Sequence, residues 1–460
     1  MTEMAAGTAP AHHDPEASLL EVARPRPLLL VGSAVTGLLV VLLFVLWGYQ
    51  AKEGLGVAGI NRPVFWGIYI VNFVFWIGIS HAGTLISAIL RVVHAEWRRP
   101  LTRCAEAVTV FALMVGGLFP LIHMGRPWLF YWLLPYPNYR GLVPNFRSPL
   151  VWDVAAITAY LIGSSLYLLL PMIPDLAMLR DRSSDRGGVR YRLYRLLALG
   201  WRGTPLQWAA LERGIGILAV AVIPVAVSVH TIVSWDFAMT MTPGWNSTIF
   251  GPYFVVGAIY SGIAVLLLAM AILRRGLHLE HVLTDKTFDN LGRLCLAMTL
   301  IWGYFTFAEH LTTWYAGDAA SDSVHHALMS GRFGNLFWLM IFLNVIVPFA
   351  LLVTRRGRRP LGAAIAAIGI VIGMWLERLL IVVPSLSKPR LPGLDGSYWP
   401  SPVELGIMLG SAGLFVFLYF VFVQVFPIVS IWEVREGREH KAVAAGQRAT
   451  ELARAGGGTV

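Results

Sequence analysis

Charge and cysteine are the scarce ingredients of this sequence. Only 13% of its 460 residues are Asp, Glu, Lys or Arg, whereas a soluble domain carries about a quarter. Beside 57% hydrophobic residues, that deficit excludes an ordinary water-soluble globular protein. The two cysteines, Cys104 and Cys295, cannot build a disulfide framework. They are also too few to hold a four-thiolate iron–sulfur cluster inside the chain. No Rossmann, P-loop or zinc-ligand spacing occurs in the polar segments. Acidic residues are outnumbered by basic ones, which leaves a net charge of +10. In a soluble protein that excess points to nucleic acid. Here the basic residues lie between apolar runs, so they read as topology signals and not as nucleic-acid contacts.

What is present is long apolar runs. A bilayer crossing needs about 20 apolar residues in a row. The sequence offers ten such stretches, at 27–49, 64–93, 104–124, 149–174, 212–236, 250–273, 291–316, 333–354, 360–383 and 404–428. The expected fold is an all-α membrane protein of ten transmembrane helices. Arg24 and Arg26 precede the first run, which is longer than the apolar core of a signal peptide and lacks a small-residue cleavage site, so it reads as a retained helix. Of the 36 Lys and Arg residues, about 27 fall on the side of the N-terminal tail and about 8 on the other, with Arg378 inside a helix. The positive-inside rule then puts both termini in the cytoplasm. Aromatic residues make up 12% of the chain, including 17 Trp, which fits two interfacial belts in a lipid bilayer.

A repeat divides the chain. Pro63-Val64-Phe65 opens the second helix and Pro252-Tyr253-Phe254 the sixth; Cys104 and Cys295 start the third and seventh. This predicts two four-helix bundles in parallel orientation, helices 2–5 and 6–9, with two flanking helices. The corresponding division is a tail at 1–26, a flanking helix at 27–60, bundles at 61–248 and 249–390, and a last helix and tail at 391–460. The basic loop 180–213 is either an amphipathic segment on anionic lipid or a plain solvated loop. The tail after Trp432 is expected to be a docking helix or frayed.

Ionisable residues inside spans are costly and are candidates for function. His123 ends helix 3, Asp153 follows the Ser148-Pro149 start of helix 4, and Asp236 ends helix 5. All three fall near the non-cytoplasmic face. Each has a structural reading: His123 could complement a helix dipole, Asp153 could serve an N-terminal turn, and Asp236 could pair with Arg126 or Arg378. Glu309, His310, Glu377 and Arg378 lie near the same face in the second unit. Glu377 and Arg378 are adjacent, so their side chains are expected to diverge towards other partners; Arg378 could also snorkel. His81 lies deep in helix 2. It is either a histidine bonded to a helix carbonyl or part of a proton relay with His230 and Tyr160.

Together these groups, ringed by Trp128, Tyr131, Trp132, Trp152 and Trp235, suit a lipid-soluble quinol. Its two hydroxyls need acceptors that can take protons as electrons leave. The chain shows no electron acceptor of its own. Haem competes for the histidines: His81 and His94 lie about 20 Å apart along one helix and cannot share an iron, whereas His123 and His230 stay open as a pair.

At these residues the chain resembles the NrfD/PsrC family of quinone-interacting membrane subunits, and within it the alternative complex III members. The likeness runs from Asn61 to Pro384. It rests on Asn61-Arg62-Pro63, Ser80-His81-Ala82-Gly83-Thr84, His123-Met124-Gly125-Arg126-Pro127 and Trp152-Asp153. The resemblance implies a bacterial inner-membrane subunit that oxidises menaquinol or ubiquinol near the periplasmic face, with no haem, iron–sulfur cluster or metal of its own. It implies a periplasmic iron–sulfur subunit, multihaem cytochrome c subunits and a second NrfD-like membrane subunit as partners. It also implies His123, Asp153 and Asp236 as the quinol pocket with a basic residue at Arg378, and proton movement in which His81 takes part. The rival readings are a secondary transporter using the same buried charges, a haem b anchor, and a quinone-reducing member of the same family.

Overall fold

The computed structural model describes residues 27–134, 147–183, 187–391, 393–439 and 443. Among them are ten helices long and apolar enough to cross a membrane, and no strand. The protein is a multi-pass, all-helical membrane protein. The spanning helices are α1 (Pro27–Glu53), α2 (Ile68–Val92), α3 (Thr102–His123), α4 (Pro149–Arg182), α6 (Pro205–Ala238), α7 (Phe250–Gly276), α8 (Asp285–Ala316), α10 (Gly334–Leu352), α11 (Pro360–Ser387) and α12 (Pro402–Val425). Two short helices, α5 (Val189–Leu197) and α9 (Ala319–Met329), lie between spans.

The helix starts follow local chemistry. Proline opens α4, α6, α11 and α12, where its missing N–H costs nothing and its φ suits the first turn. Reciprocal capping boxes, Thr204 with Gln207 and Ser401 with Glu404, hold α6 and α12, as their sequence spacing predicts. Several helices outrun the apolar stretches: α4 continues to Arg182, α6 begins at Pro205 and α8 at Asp285. The backbone ladder does not stop where lipid stops, so the polar turns beyond the membrane stay helical. The second span starts later than its apolar run, because Asn61 N–H bonds to Val64 O and Phe65 N–H to Pro63 O in a non-helical turn.

α2, α3, α4 and α6 pack in a ring, each against the next, and α7, α8, α10 and α11 do the same. α2 and α7 meet along the seam between the rings, and α1 and α12 pair with each other beside α3. α2 is the most enclosed span, α1 the least. Close approach at the centre depends on absent side chains, as in other membrane helix pairs. A Cβ on Gly83 would collide with Ala105 O of α3, and one on Gly262 of α7 with the Ala82 side chain.

On the side of the N-terminal tail, the chain after α12 folds back under the first ring. Residues 431–439 form a docked helix. Asp175 accepts hydrogen bonds from Ile431 N (2.9 Å) and Trp432 N (3.2 Å) at its start, and Glu433 meets Arg91 (3.2 Å) and Arg98 (3.0 Å). The remaining tail expected to dock or fray, 440–442 and 444–460, lies outside the described residues, as do 1–26 and Arg140. The basic loop carries α5, whose Tyr194 hydroxyl donates to Val425 O (2.7 Å) and whose Arg190 donates to Gln424 O (3.3 Å).

Candidate functional site

Three sequence-selected groups stand on adjoining helix ends, on the side with few basic residues. Asp153 lies in the second turn of α4, after the Ser148-Pro149 start, and Asp236 in the last turn of α6. These helices pack directly, and both side chains are buried. Their carboxyl groups lie close enough to interact directly. Each keeps its Oδ1 buried without a partner. His123 is the last residue of α3, the other neighbour of α4, and its Nδ1 is also buried and unpartnered. Buried polar atoms are nearly always paired, so these three orphans on neighbouring helix ends stand out as candidates for a ligand. Trp152 and Trp235, each one residue before an aspartate, meet edge to face at 6.1 Å.

The basic partner expected for Asp236 is not there. Among the described residues Asp236 adjoins Asp153, and Arg378 pairs instead with Glu377, Nη1 to Oε2, at 3.0 Å. That pair corrects a second expectation: the adjacent side chains of Glu377 and Arg378 do not diverge. Their contact lacks hydrogen-bond alignment, as neighbours on one helix turn require, so each takes further company. Trp302 Nε1 donates to Glu377 Oε1 (2.9 Å), and the Arg378 guanidinium lies over the Phe254 ring at 4.8 Å. Arg378 is buried and does not snorkel.

Deeper in the membrane, His81 Nδ1 lies 2.6 Å from Ile77 O, one turn earlier on α2. This is the bond of a structural histidine, yet its Nε2 has no partner. The His81 ring stacks on Tyr160 of α4 (5.0 Å) and meets the His230 ring of α6 (4.5 Å). His230 is fully buried with neither ring nitrogen bonded, and its ring faces Phe254 at 5.9 Å. Phe254 therefore separates His230 from Arg378 at the seam. His230 lies two turns inward from the end of α6, about 12 Å by helix rise, whereas His123 ends α3. The pair left open for haem, His123 and His230, is thus split by depth. His81 and His230 touch ring to ring, with no room for an iron between them.

In the second ring, Glu309 and His310 open onto a cavity of about 70 Å³ that Tyr253, His325, Glu377 and Ser385 also line. With these polar groups set in a mostly apolar wall, a cavity of this size suits a few waters. Glu309 Oε2 accepts from Ser247 (2.5 Å), and His310 Nδ1 lies 3.4 Å from His325 Nδ1 on α9. Among the described residues no three His, Cys, Asp or Glu side chains gather as a metal site.

Some buried polar groups escaped the sequence reading. Gln50 of α1 is fully enclosed; its Nε2 donates to Ile122 O (2.8 Å), and its Oε1 accepts from the Tyr69 hydroxyl. Glu404 of α12 is equally buried and accepts from Gly59 N (2.7 Å) and from the Tyr398 hydroxyl (2.8 Å). Glu106 of α3 accepts from Ser87 (2.7 Å). Arg103 and Asp175 form a buried pair at 2.7 Å. A lone Glu within an apolar run was the available signal for Glu106, and the capping-box spacing was the one for Glu404; Gln50 falls just past its run and gave no such signal.

The profile of the family described as polysulphide reductase, NrfD matches residues 56–389. The chain is 27% identical over 411 residues to a selenate reductase subunit of Mesobacillus selenatarsenatis, covering 82% of this chain and 89% of the relative. It is 27% identical over 405 residues to a putative dimethyl sulfoxide reductase membrane subunit of Halobacterium salinarum, covering 82% and 86%. With an Hdr-like menaquinol oxidoreductase integral membrane subunit of Archaeoglobus fulgidus it shares 22% over 411 residues, covering 85% and 91%. The chain belongs to the NrfD family.

Proposed function

We propose that this NrfD-family chain is the quinol-oxidising membrane subunit of a respiratory or photosynthetic electron-transfer complex. The observation that carries the reading is the placing of Asp153, Asp236 and His123 on neighbouring helix ends, each with a buried polar atom that has no partner. The relatives support the class: all three are named as subunits of reductases or oxidoreductases, and one is named for menaquinol. Menaquinol is therefore the substrate to test first, with ubiquinol beside it.

Oxidation of a quinol releases two electrons and two protons. One hydroxyl donates its hydrogen bond to Asp153 and the other to His123, and each group takes a proton as the electrons leave. Asp236, beside Asp153, relays the proton onward and frees Asp153 for the next turnover. The electrons pass to a partner on the same face, an iron–sulfur protein followed by c-type haems in the alternative complex III arrangement. A second NrfD-like subunit would sit alongside. In this reading both termini are cytoplasmic and the site opens near the periplasmic face of the inner membrane. Arg378 is a secondary ligand candidate, held back behind Phe254.

A proton path is the finer part of the proposal. His81, His230 and Tyr160 supply the contacts in the first ring, and Glu377, Glu309 and His310 line the cavity of the second. The test of the main reading is quinol-driven electron transfer in the purified complex. Asp153→Asn should slow it about 10²- to 10⁴-fold, the usual share of a positioned acid–base group, while all the partner proteins still co-purify. Wild-type turnover in that variant would remove Asp153 from the site.

A further inference from the structure

α1 presents a puzzle that its neighbours answer. It is the least enclosed of the spans, with Val31, Leu38 and Val45 all exposed, yet it carries the fully buried amide of Gln50. An amide inside a membrane helix persists only when both its ends are bonded. Gln50 is bonded at both ends, to Ile122 O and to the Tyr69 hydroxyl. Ile122 is the residue before His123. Its carbonyl belongs to the last turn of α3 and also accepts from Gly125 N at 3.4 Å. A second contact fixes the same corner. Gly125, two residues past His123, has φ +69, and a Cβ there would lie 2.7 Å from Leu55 Cγ in the turn after α1. That turn is itself fastened to α12 by the bond from Gly59 N to Glu404.

We infer that Gln50 is a positioning residue for His123: it holds the end of α3 so that Nδ1 faces the quinol pocket. The inference rests on the quinol-site reading above. It assigns the flanking pair α1 and α12 a part in substrate binding that neither of the two helix rings supplies.

The test is a double-mutant cycle in the purified complex. Gln50→Leu is expected to raise the KM for quinol about tenfold with a smaller change in kcat, the cost of slight misplacement. In a His123→Ala background the same substitution should have no further effect, because coupled residues are not additive. Equal effects in both backgrounds, or an unchanged KM, would overturn the inference while leaving the quinol site in place. Wild-type turnover in His123→Ala alone would instead overturn the quinol reading at that residue, and the positioning role with it. Should Gln50→Leu fail to assemble, Tyr69→Phe keeps the amide but removes one of its anchors, and it is read in the same two backgrounds by the same outcomes.

A separate observation concerns α5. Tyr194 and Arg190 pin this helix to the end of α12, at the boundary of the apolar span. Arg192 and Arg195 are exposed on it, beside Val189 (82% exposed) and Leu196 (70%). Guanidinium groups next to outward apolar side chains at a span boundary match an anionic phospholipid, its phosphate on the arginines and its chains along the leucine and valine. We propose that α5 binds such a lipid. The full complex, stripped of lipid and titrated with phosphatidylglycerol or phosphatidylcholine vesicles, should retain the anionic lipid preferentially. The Arg192→Gln/Arg195→Gln variant should lose about thirtyfold of that retention, from two basic residues at about 1 kcal/mol each, and inorganic phosphate should not compete. Equal retention by variant and wild type, no preference for the anionic lipid, or displacement by phosphate alone would overturn the proposal.

Discussion

The aspartate pair allows a sharp test of how the proposed site works. Asn is nearly isosteric with Asp, so Asp236→Asn keeps the contact with Asp153. What it removes is the onward acceptor for the proton. Asp153→Asn removes the first acceptor itself. If Asp153 is the base and Asp236 its relay, the first change should cost about 10²- to 10⁴-fold in turnover, or about 2.7 to 5.4 kcal/mol at 1.36 kcal/mol per decade. Asp236→Asn should cost less, about tenfold, since Asp153 still faces the quinol. If the two carboxyl groups accept the proton as one unit, the double variant should be no slower than Asp153→Asn alone. The assay is steady-state quinol oxidation by the assembled complex, with kcat and KM separated and the composition of the complex checked. Losses that multiply in the double variant would refute the idea that the two acids act as one unit. A change confined to KM would refute the role as base.

Other outcomes follow from the packing. Asp175→Ala leaves Arg103 buried among carbonyls and frees Ile431 N and Trp432 N; breaking such a pair costs about 3–5 kcal/mol, so hydrogen exchange of 427–439 should rise, and unchanged protection would show that the tail is held elsewhere. Gly83→Val should destabilise the α2–α3 contact by at least the about 1–3 kcal/mol of overpacking, because a Cβ there strikes Ala105 O; thermal unfolding of the complex reads it, and a wild-type midpoint would contradict the close approach. His81→Ala should alter the number of protons taken up and released per quinol if the contacts with His230 and Tyr160 carry protons. An unchanged stoichiometry would end that part of the proposal.

How much was legible in the sequence varies by residue. Ten spans were legible, since a bilayer demands runs of apolar residues; several starts were not, since α6 and α8 begin in polar turns outside those runs. Asp153, Asp236, His123 and His81 were legible as costly residues in apolar runs. Their partners were not. Asp236 invited an arginine by charge, but the fold gives it another acid. Glu377 and Arg378 are neighbours whose backbone suggests divergence, but the crowded wall of Phe254 and Trp302 holds them together. Gln50 looked like one polar residue near a helix end, and only the approach of α3 gives its amide two bonds.

The sequence by itself determined that the chain crosses a membrane repeatedly, which segments do so and which residues are too polar to be there without a reason. Those properties depend on transfer from water to lipid, which each segment undergoes largely alone. The tertiary structure decided which of those residues meet. Helix association in lipid has no hydrophobic drive to reveal itself in composition; it rests on close contacts such as Gly83 on Ala105 and on hydrogen bonds across helices. So the join of Asp153 to Asp236, the contact of His81 with His230, and the hold of Gln50 on the end of α3 were set by packing between segments far apart in the chain.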